Sequence, residues 1–81
     1  MALIPVYMPK FGMTMTEGLI VEWHRQEGDL VAAGEPLFSV ETEKASSDVE
    51  APASGTLAEI SVGAGSEAPV GAVVAYIETE A

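Results

Sequence analysis

Among the side chains able to do chemistry, Lys44 stands apart by its surroundings. It lies in Val40-Glu-Thr-Glu-Lys-Ala-Ser-Ser-Asp-Val49, where two β-branched residues flank a polar stretch. That pattern reads as a hairpin with its tip around Glu43-Lys44. Neither central residue is glycine or asparagine, so a type I turn or a longer loop fits better than a primed turn. Acids at 41, 43, 48 and 50 surround the lysine, the only base between Arg25 and the carboxyl end. Two readings compete. One makes Lys44 a solvated turn residue with weak surface ion pairs. The other makes it a functional amine held out on a tip.

The remaining reactive side chains carry weaker signals. His24 is the only histidine and there is no cysteine, so a usual zinc site cannot be anchored. Its neighbour Trp23 reads as core, which turns His24 outward on the same strand. Ser54 and Ser66 have no base partner placed by any motif, and nucleophilic catalysis is unsupported. Asp48 and Glu50 share one strand face and read as solvated carboxylates rather than an acid–base pair. Gly63-Ala-Gly65 is a glycine-rich fragment without a following helix, and reads as a turn.

The elements that must position these residues emerge when the chain is laid on itself at an offset of 37. Residues 18–44 then face residues 55–81 without a gap, with seven identities in 27 positions. Average composition would give roughly two. Gly18 meets Gly55, Glu22 meets Glu59, Gly28 meets Gly65, Gly34 meets Gly71, and Glu41-Thr-Glu meets Glu78-Thr-Glu. Apolar character carries over too: Ile20 with Leu57, Trp23 with Ile60, Leu37 with Val74, Val40 with Ile77. Lys44 falls opposite Ala81, so the needs of the scaffold alone do not demand a lysine there.

Each half is too short to fold alone, and the two are expected to complete one core. Gly18–Trp23, Gly55–Ile60, 36–42 and 72–79 are β-leaning runs. Turn-rich pieces lie between them, around 26–29 and 63–66. The repeated glycines suggest positive φ or close backbone approach, and no segment shows a helical period. The expected fold class is all-β: a flattened barrel or sandwich of two short antiparallel sheets, one mainly from each half, related by a pseudo-two-fold. Residues 1–81 form one domain, with half-repeats 18–44 and 55–81. A two-fold would send the carboxyl end out far from Lys44.

Thirteen acids against three bases give a net charge of −10. Such a surface repels phosphate backbones and anionic membranes, which argues against nucleic-acid and membrane partners. The absence of cysteine removes disulfides, and no stretch has the form of a signal peptide or a membrane span. A cytoplasmic location is the expectation, and a monomer is the expected state of the domain.

Glu41-Thr-Glu-Lys-Ala, with Asp48-Val-Glu-Ala-Pro52 and Gly55, resembles the attachment hairpin of lipoyl domains in the biotinyl/lipoyl-attachment family. Met8-Pro-Lys-Phe-Gly-Met-Thr-Met-Thr-Glu-Gly18 is similar to that family's opening segment, and so are Glu27-Gly-Asp-Leu-Val and Gly34-Glu-Pro-Leu. These domains belong to dihydrolipoamide acyltransferase components of 2-oxo acid or acetoin dehydrogenase complexes. The resemblance covers nearly the whole chain. It departs before the lysine, where the family usually has Asp and this chain has Glu43.

What the resemblance implies is a carrier, not an enzyme. Lipoic acid would be amide-linked to Lys44, with Glu43 and Ala45 as the flanks read by a lipoate ligase or lipoyl transferase. The arm would accept an acyl group from a thiamine-diphosphate-dependent dehydrogenase component and deliver it to an acyltransferase core. A dihydrolipoamide dehydrogenase would reoxidise it. The segment Phe11, Gly12, Met13, Thr14, Met15, Thr16, Glu17 and Gly18 lies beside the hairpin in related domains and is the expected partner loop. Met13 and Met15 would offer soft contacts there, or fill gaps in a thin core. Two other functions remain open: a biotin carrier of the same architecture, and an unmodified interaction module like the barrels of membrane-transport adaptors. Biotin domains typically flank the lysine with methionine, whereas here the methionines stand at 1, 8, 13 and 15.

Overall fold

The structure is a computed structural model that describes residues 2–10, 15–43 and 45–79. Among these there are eight strands and no helix. They are β1 (Ala2–Tyr7), β2 (Glu17–Trp23), β3 (Leu30–Val31), β4 (Pro36–Glu41), β5 (Ser46–Glu50), β6 (Gly55–Ile60), β7 (Glu67–Pro69) and β8 (Val73–Thr79). They form two four-stranded sheets, in the orders β1-β8-β6-β3 and β5-β4-β2-β7, with every pairing antiparallel. The sheets are not closed into a barrel, so the sandwich half of the expectation holds.

The offset of 37 reappears as structure. It carries β2 onto β6, β3 onto β7 and β4 onto β8. Each sheet bulges at the same place, between Ile20 and Glu22 and between Leu57 and Glu59. Gly28 and Gly65 both hold positive φ, at 94° and 87°. Their amides reach across to the other half, Gly28 N–H to the Leu57 carbonyl (2.8 Å) and Gly65 N–H to the Ile20 carbonyl (2.7 Å). An L side chain is disfavoured at such φ, which is why the repeat keeps glycine there. The short strands are exchanged: β3 pairs with β6, and β7 pairs with β2. Neither half therefore builds its sheet alone.

The core is built from the repeat partners. Ile20 and Leu57, Leu37 and Val74, and Val40 and Ile77 are all fully buried. Phe38 and its partner Ala75 are buried as well. Trp23 is only half-buried. Its ring lies 4.5 Å from Phe38, while Nε1–H donates to the Val62 carbonyl at 2.9 Å. The indole needs a partner for its N–H, so it settles at the rim of the core rather than inside it. Ala81 lies outside the described residues, and so does the expected exit of the chain far from residue 44.

Candidate functional site: the hairpin between β4 and β5

Alternation in β4 puts Phe38 and Val40 inward and leaves Glu41 exposed, while Leu37 is buried where the register with β5 shifts. Its partner β5 is almost wholly exposed, as an edge strand with little apolar content should be. The register Val40 with Ser47 and Glu41 with Ser46 brings the strands to a close at Thr42 and Ala45. There Thr42 N–H donates to the Ala45 carbonyl (2.7 Å), and Ala45 N–H donates to Thr42 Oγ1 (3.2 Å). Only residues 43 and 44 stand between these clamped positions. Glu43 has no positive φ. Both primed turns require one at that place, so the turn is not of the primed type. Glu43 and Ala45 are exposed. Lys44 itself lies outside the described residues.

The expected partner loop divides. Phe11, Gly12, Met13 and Thr14 lie outside the described residues. Met15 is partly buried and packs against the core, which favours its gap-filling role. Thr16 and Glu17 are exposed, and Glu17 begins β2. Gly18 is buried, and a Cβ there would meet Val40 Cγ1 at 2.6 Å. Its part is therefore packing: the side chains of Val40, Met15 and Met8 occupy the space a Cβ would need, and the pairing of Leu19 with Glu41 sets this segment beside the base of the hairpin. Glu17 also faces Glu67 of β7, and a hydrogen bond plus repulsion between the two carboxyls pushes the Glu17 pKa up.

A polar network not anticipated as a unit lies on the outer face of the same sheet. Ser39 Oγ donates to Asp48 Oδ1 at 2.7 Å, and His24 Nε2 sits 2.9 Å from Ser39 Oγ and 3.5 Å from Asp48 Oδ1. A hydroxyl has one hydrogen, and here it goes to the carboxylate. His24 Nε2 must then donate to Ser39 rather than accept from it. The imidazole cannot draw a proton from this serine, so the arrangement holds the strands in register and does not activate a nucleophile. The Ser39 hydrogen bond, and then His24, hold the Asp48 carboxyl below its ordinary range. Asp48 is thus exposed but not simply solvated. The signal was present in the hairpin: a tip centred between 43 and 44 sets Ser39 opposite Asp48, and the register confirms that pairing.

Beside this network an open groove of about 440 Å³ runs along β2, β4 and β5, lined among others by Val21, Glu22, Ser39, Glu41, Ser46 and Asp48. The second fixed point is Arg25, whose guanidinium donates to Glu35 Oε2 at 2.7 Å while Ala32 N–H donates to Glu35 Oε1 at 2.6 Å. These hydrogen bonds lower the Glu35 pKa and pin the 32–35 turn. Among the described residues no group of three or more His, Cys, Asp or Glu side chains is placed to hold a metal.

Comparison with known proteins follows the same line. Residues 4–77 match the family model Biotin_lipoyl, described as "Biotin-requiring enzyme". The chain is 49% identical over 77 residues to dihydrolipoyllysine-residue acetyltransferase component 4 of the chloroplastic pyruvate dehydrogenase complex of Arabidopsis thaliana, covering 94% of this chain and 16% of that protein. It is 42% identical over 74 residues to the dihydrolipoyllysine-residue acetyltransferase component of the acetoin cleaving system of Bacillus subtilis (strain 168), covering 91% of this chain and 19% of that protein. This chain thus spans less than a fifth of the length of these two relatives. Among solved structures it is similar to the lipoyl domain of the 2-oxoglutarate dehydrogenase complex of Azotobacter vinelandii, with a TM-score of 0.78, 27% identity, and coverage of 96% of this chain and 99% of that one. With the fold, the two-fold repeat and a family match over almost its whole length in agreement, the chain belongs to the Biotin_lipoyl family of attachment domains, as a non-catalytic carrier.

Proposed function

We propose that this chain is a lipoyl carrier domain whose arm is an amide between Lys44 Nζ and lipoic acid. One observation carries the assignment to Lys44. The strand ladder closes at Thr42 and Ala45, with only residues 43 and 44 between them, and the position matching Lys44 in the sequence repeat is Ala81. A lysine kept on one tip and dropped at the equivalent position serves something other than the scaffold. The residues around it suit the group. Glu43 and Ala45, the neighbours on either side, are exposed, as residues read by a ligase must be, and the β4–β5 ladder leads up to them.

Lipoic acid, when bound, supplies a dithiolane that takes up and gives up an acyl group. The chain's own part is to present the amine at the end of the β4–β5 hairpin and to be recognised. A carrier tethered near several active sites raises the concentration of its arm at each. In this reading a lipoate ligase attaches the group, and a thiamine-diphosphate-dependent component loads it. An acyltransferase core receives the acyl group, and a dihydrolipoamide dehydrogenase restores the disulfide. The domain works as a monomer, since like charge of −10 opposes self-association. The biotin alternative is disfavoured by the flanks of Lys44, which are Glu43 and Ala45 rather than methionines. The test is the intact mass of the chain from cells supplied with lipoate, with biotin, or with neither. A lipoyl increment under lipoate is expected. A biotinyl increment, or no increment with an active ligase present, contradicts the reading.

A further inference from the structure

The strand that returns from the hairpin is held by little apolar burial. In β5 only Val49 is half-buried, and the other four residues are exposed. The repeat shows a different solution. Val40 pairs with Ser47, and its mate Ile77 pairs with Ile4, so β1 is the equivalent edge strand of the other sheet. There Val6 is buried, and Tyr76 lies opposite Pro5. The equivalent contact beside the hairpin is Ser39 opposite Asp48, and where the second half has Ser61 the first has His24. Apolar contacts that hold one edge strand at any pH are thus replaced, on the sheet that carries the hairpin, by a titratable ring between carboxylates.

Each polar group that the His24 ring meets is an acceptor toward it. Ser39 gives its one hydrogen to Asp48 Oδ1, so Nε2–H donates to Ser39 Oγ at 2.9 Å and lies 3.5 Å from Asp48 Oδ1. Nδ1 is 3.9 Å from Glu22 Oε1. A neutral imidazole has one N–H, here on Nε2, which leaves a lone pair on Nδ1 beside a carboxylate. A second proton turns that repulsion into an ion pair and strengthens the hydrogen bond on the other side. The His24 side chain is only 27% exposed, so these contacts are partly shielded from water. Glu22 on β2 and Asp48 on β5 are the carboxylates within reach. Glu41 of β4 and Glu50 of β5 form no ion pair with the ring. Arg25 is turned to the His24 carbonyl and to Glu35, and so competes for neither carboxylate.

We infer that His24 is a positioning residue for the attachment hairpin: its charged ring ties β5 to β2 across β4, so the ladder leading to residues 43 and 44 is firmest when the ring carries its second proton. The consequence for function, that Lys44 is modified more readily when β5 is held, rests on the lipoyl-carrier reading. The direction with pH follows from the two partners. The imidazolium contribution is present at low pH and is lost as pH rises through the range in which imidazoles change charge, about pH 5 to 8. The Asp48 carboxyl is held low by Ser39 and then by His24. Its contribution is lost only as pH falls through that lowered value, below the ordinary aspartate value of about 3.9. Between these limits both halves of the tie are in place.

The test uses the full unmodified chain. Amide hydrogen exchange is followed at about pH 5.5 and about pH 8, each rate being divided by that of an unstructured chain at the same pH. The amides read are that of Thr42, which closes the ladder onto Ala45, and those of β5, with β1 and β8 as the internal control. From the higher to the lower pH, protection of the hairpin amides should rise about threefold relative to the control, the size of a partly shielded ion pair. His24→Gln should abolish that rise. Glu22→Gln should flatten it as well, because its amide can donate to Nδ1 and so satisfies the neutral ring. Glu17, with its raised pKa, also titrates toward acid, and comparison with His24→Gln removes its part. The second readout is lipoylation of the parent and of His24→Gln by a lipoate ligase at both pH values. The ratio of parent to variant kcat/KM should be about 3 at the lower pH, carried by KM, and near one at the higher. A rise of equal size in either variant, or none in the parent, would overturn the tie. Protection that follows His24 while the lipoylation ratio stays at one would overturn the positioning role. A hairpin that tightens through His24 in a chain that never takes lipoate would instead overturn the carrier reading and leave the tie standing.

Discussion

Moving the lysine by one place, as Glu43→Lys with Lys44→Glu, keeps composition and net charge constant. A single step along a strand-like flank turns a side chain to the other face. Most lipoylation should be lost while the melting temperature stays near the parent, read by intact mass and thermal unfolding. Full modification of the swapped chain would refute the positional argument. The carboxyls offer a second test, because their shifts have opposite signs. Glu35 has a lowered pKa, so its bond to Arg25 stabilises the fold above the ordinary glutamate value and is lost as pH falls through the lowered one. Glu35→Gln should therefore reduce stability near neutral pH, with the gap closing below about pH 4. Glu17 is raised by Glu67, so its favourable state is the protonated one, present at low pH and lost as pH rises. Glu17→Gln should leave neutral stability unchanged or improved. Denaturant midpoints measured from neutral to acid pH distinguish the two patterns.

The long strands were legible because their evidence is local. β2, β4, β6 and β8 each combine alternation with a repeat mate, and the offset of 37 located all of them. The short strands were not. β3 has two residues and β7 has three, and both take strand form from pairing with the opposite half. β1 carries Pro5, which weakens any strand reading and suits the sheet edge it occupies. The bulges were invisible for a related reason: an extra residue shows only once its partner strand is known. At the site, the hairpin and its register could be read from the tip outward. The meeting of His24 with Ser39 and Asp48 needed β2 laid beside β4. The repeat also sets an energetic expectation. Val40 and Ile77 are equally buried, so truncating either to alanine should destabilise by similar means. About 2–5 kcal/mol is expected for Ile77→Ala, with Val40→Ala at or below the low end because one carbon fewer is deleted. Chemical denaturation measures both. A large cost at one site and none at the other would break the structural equivalence of the halves.

The whole domain is a scaffold for one exposed tip. It has an elongated form, 37 × 20 × 19 Å, and a net charge of −10. The field of such a surface attracts positive charge and is screened over roughly 8–10 Å at moderate salt. The repeat of the sequence keeps a lysine at 44 where the residue 37 places further on is alanine. The central claim is therefore that covalent modification resides on Lys44 and nowhere else. Its most direct test is intact mass with peptide mapping of the parent and Lys44→Arg, each co-expressed with lipoate ligase and supplied with lipoate. Arginine keeps the charge but offers no acylatable amine. The parent should carry one lipoyl group on the peptide containing residue 44, and the variant none, with unchanged thermal unfolding. A lipoyl group persisting in Lys44→Arg, or mapped to Lys10 in the parent, would contradict the account.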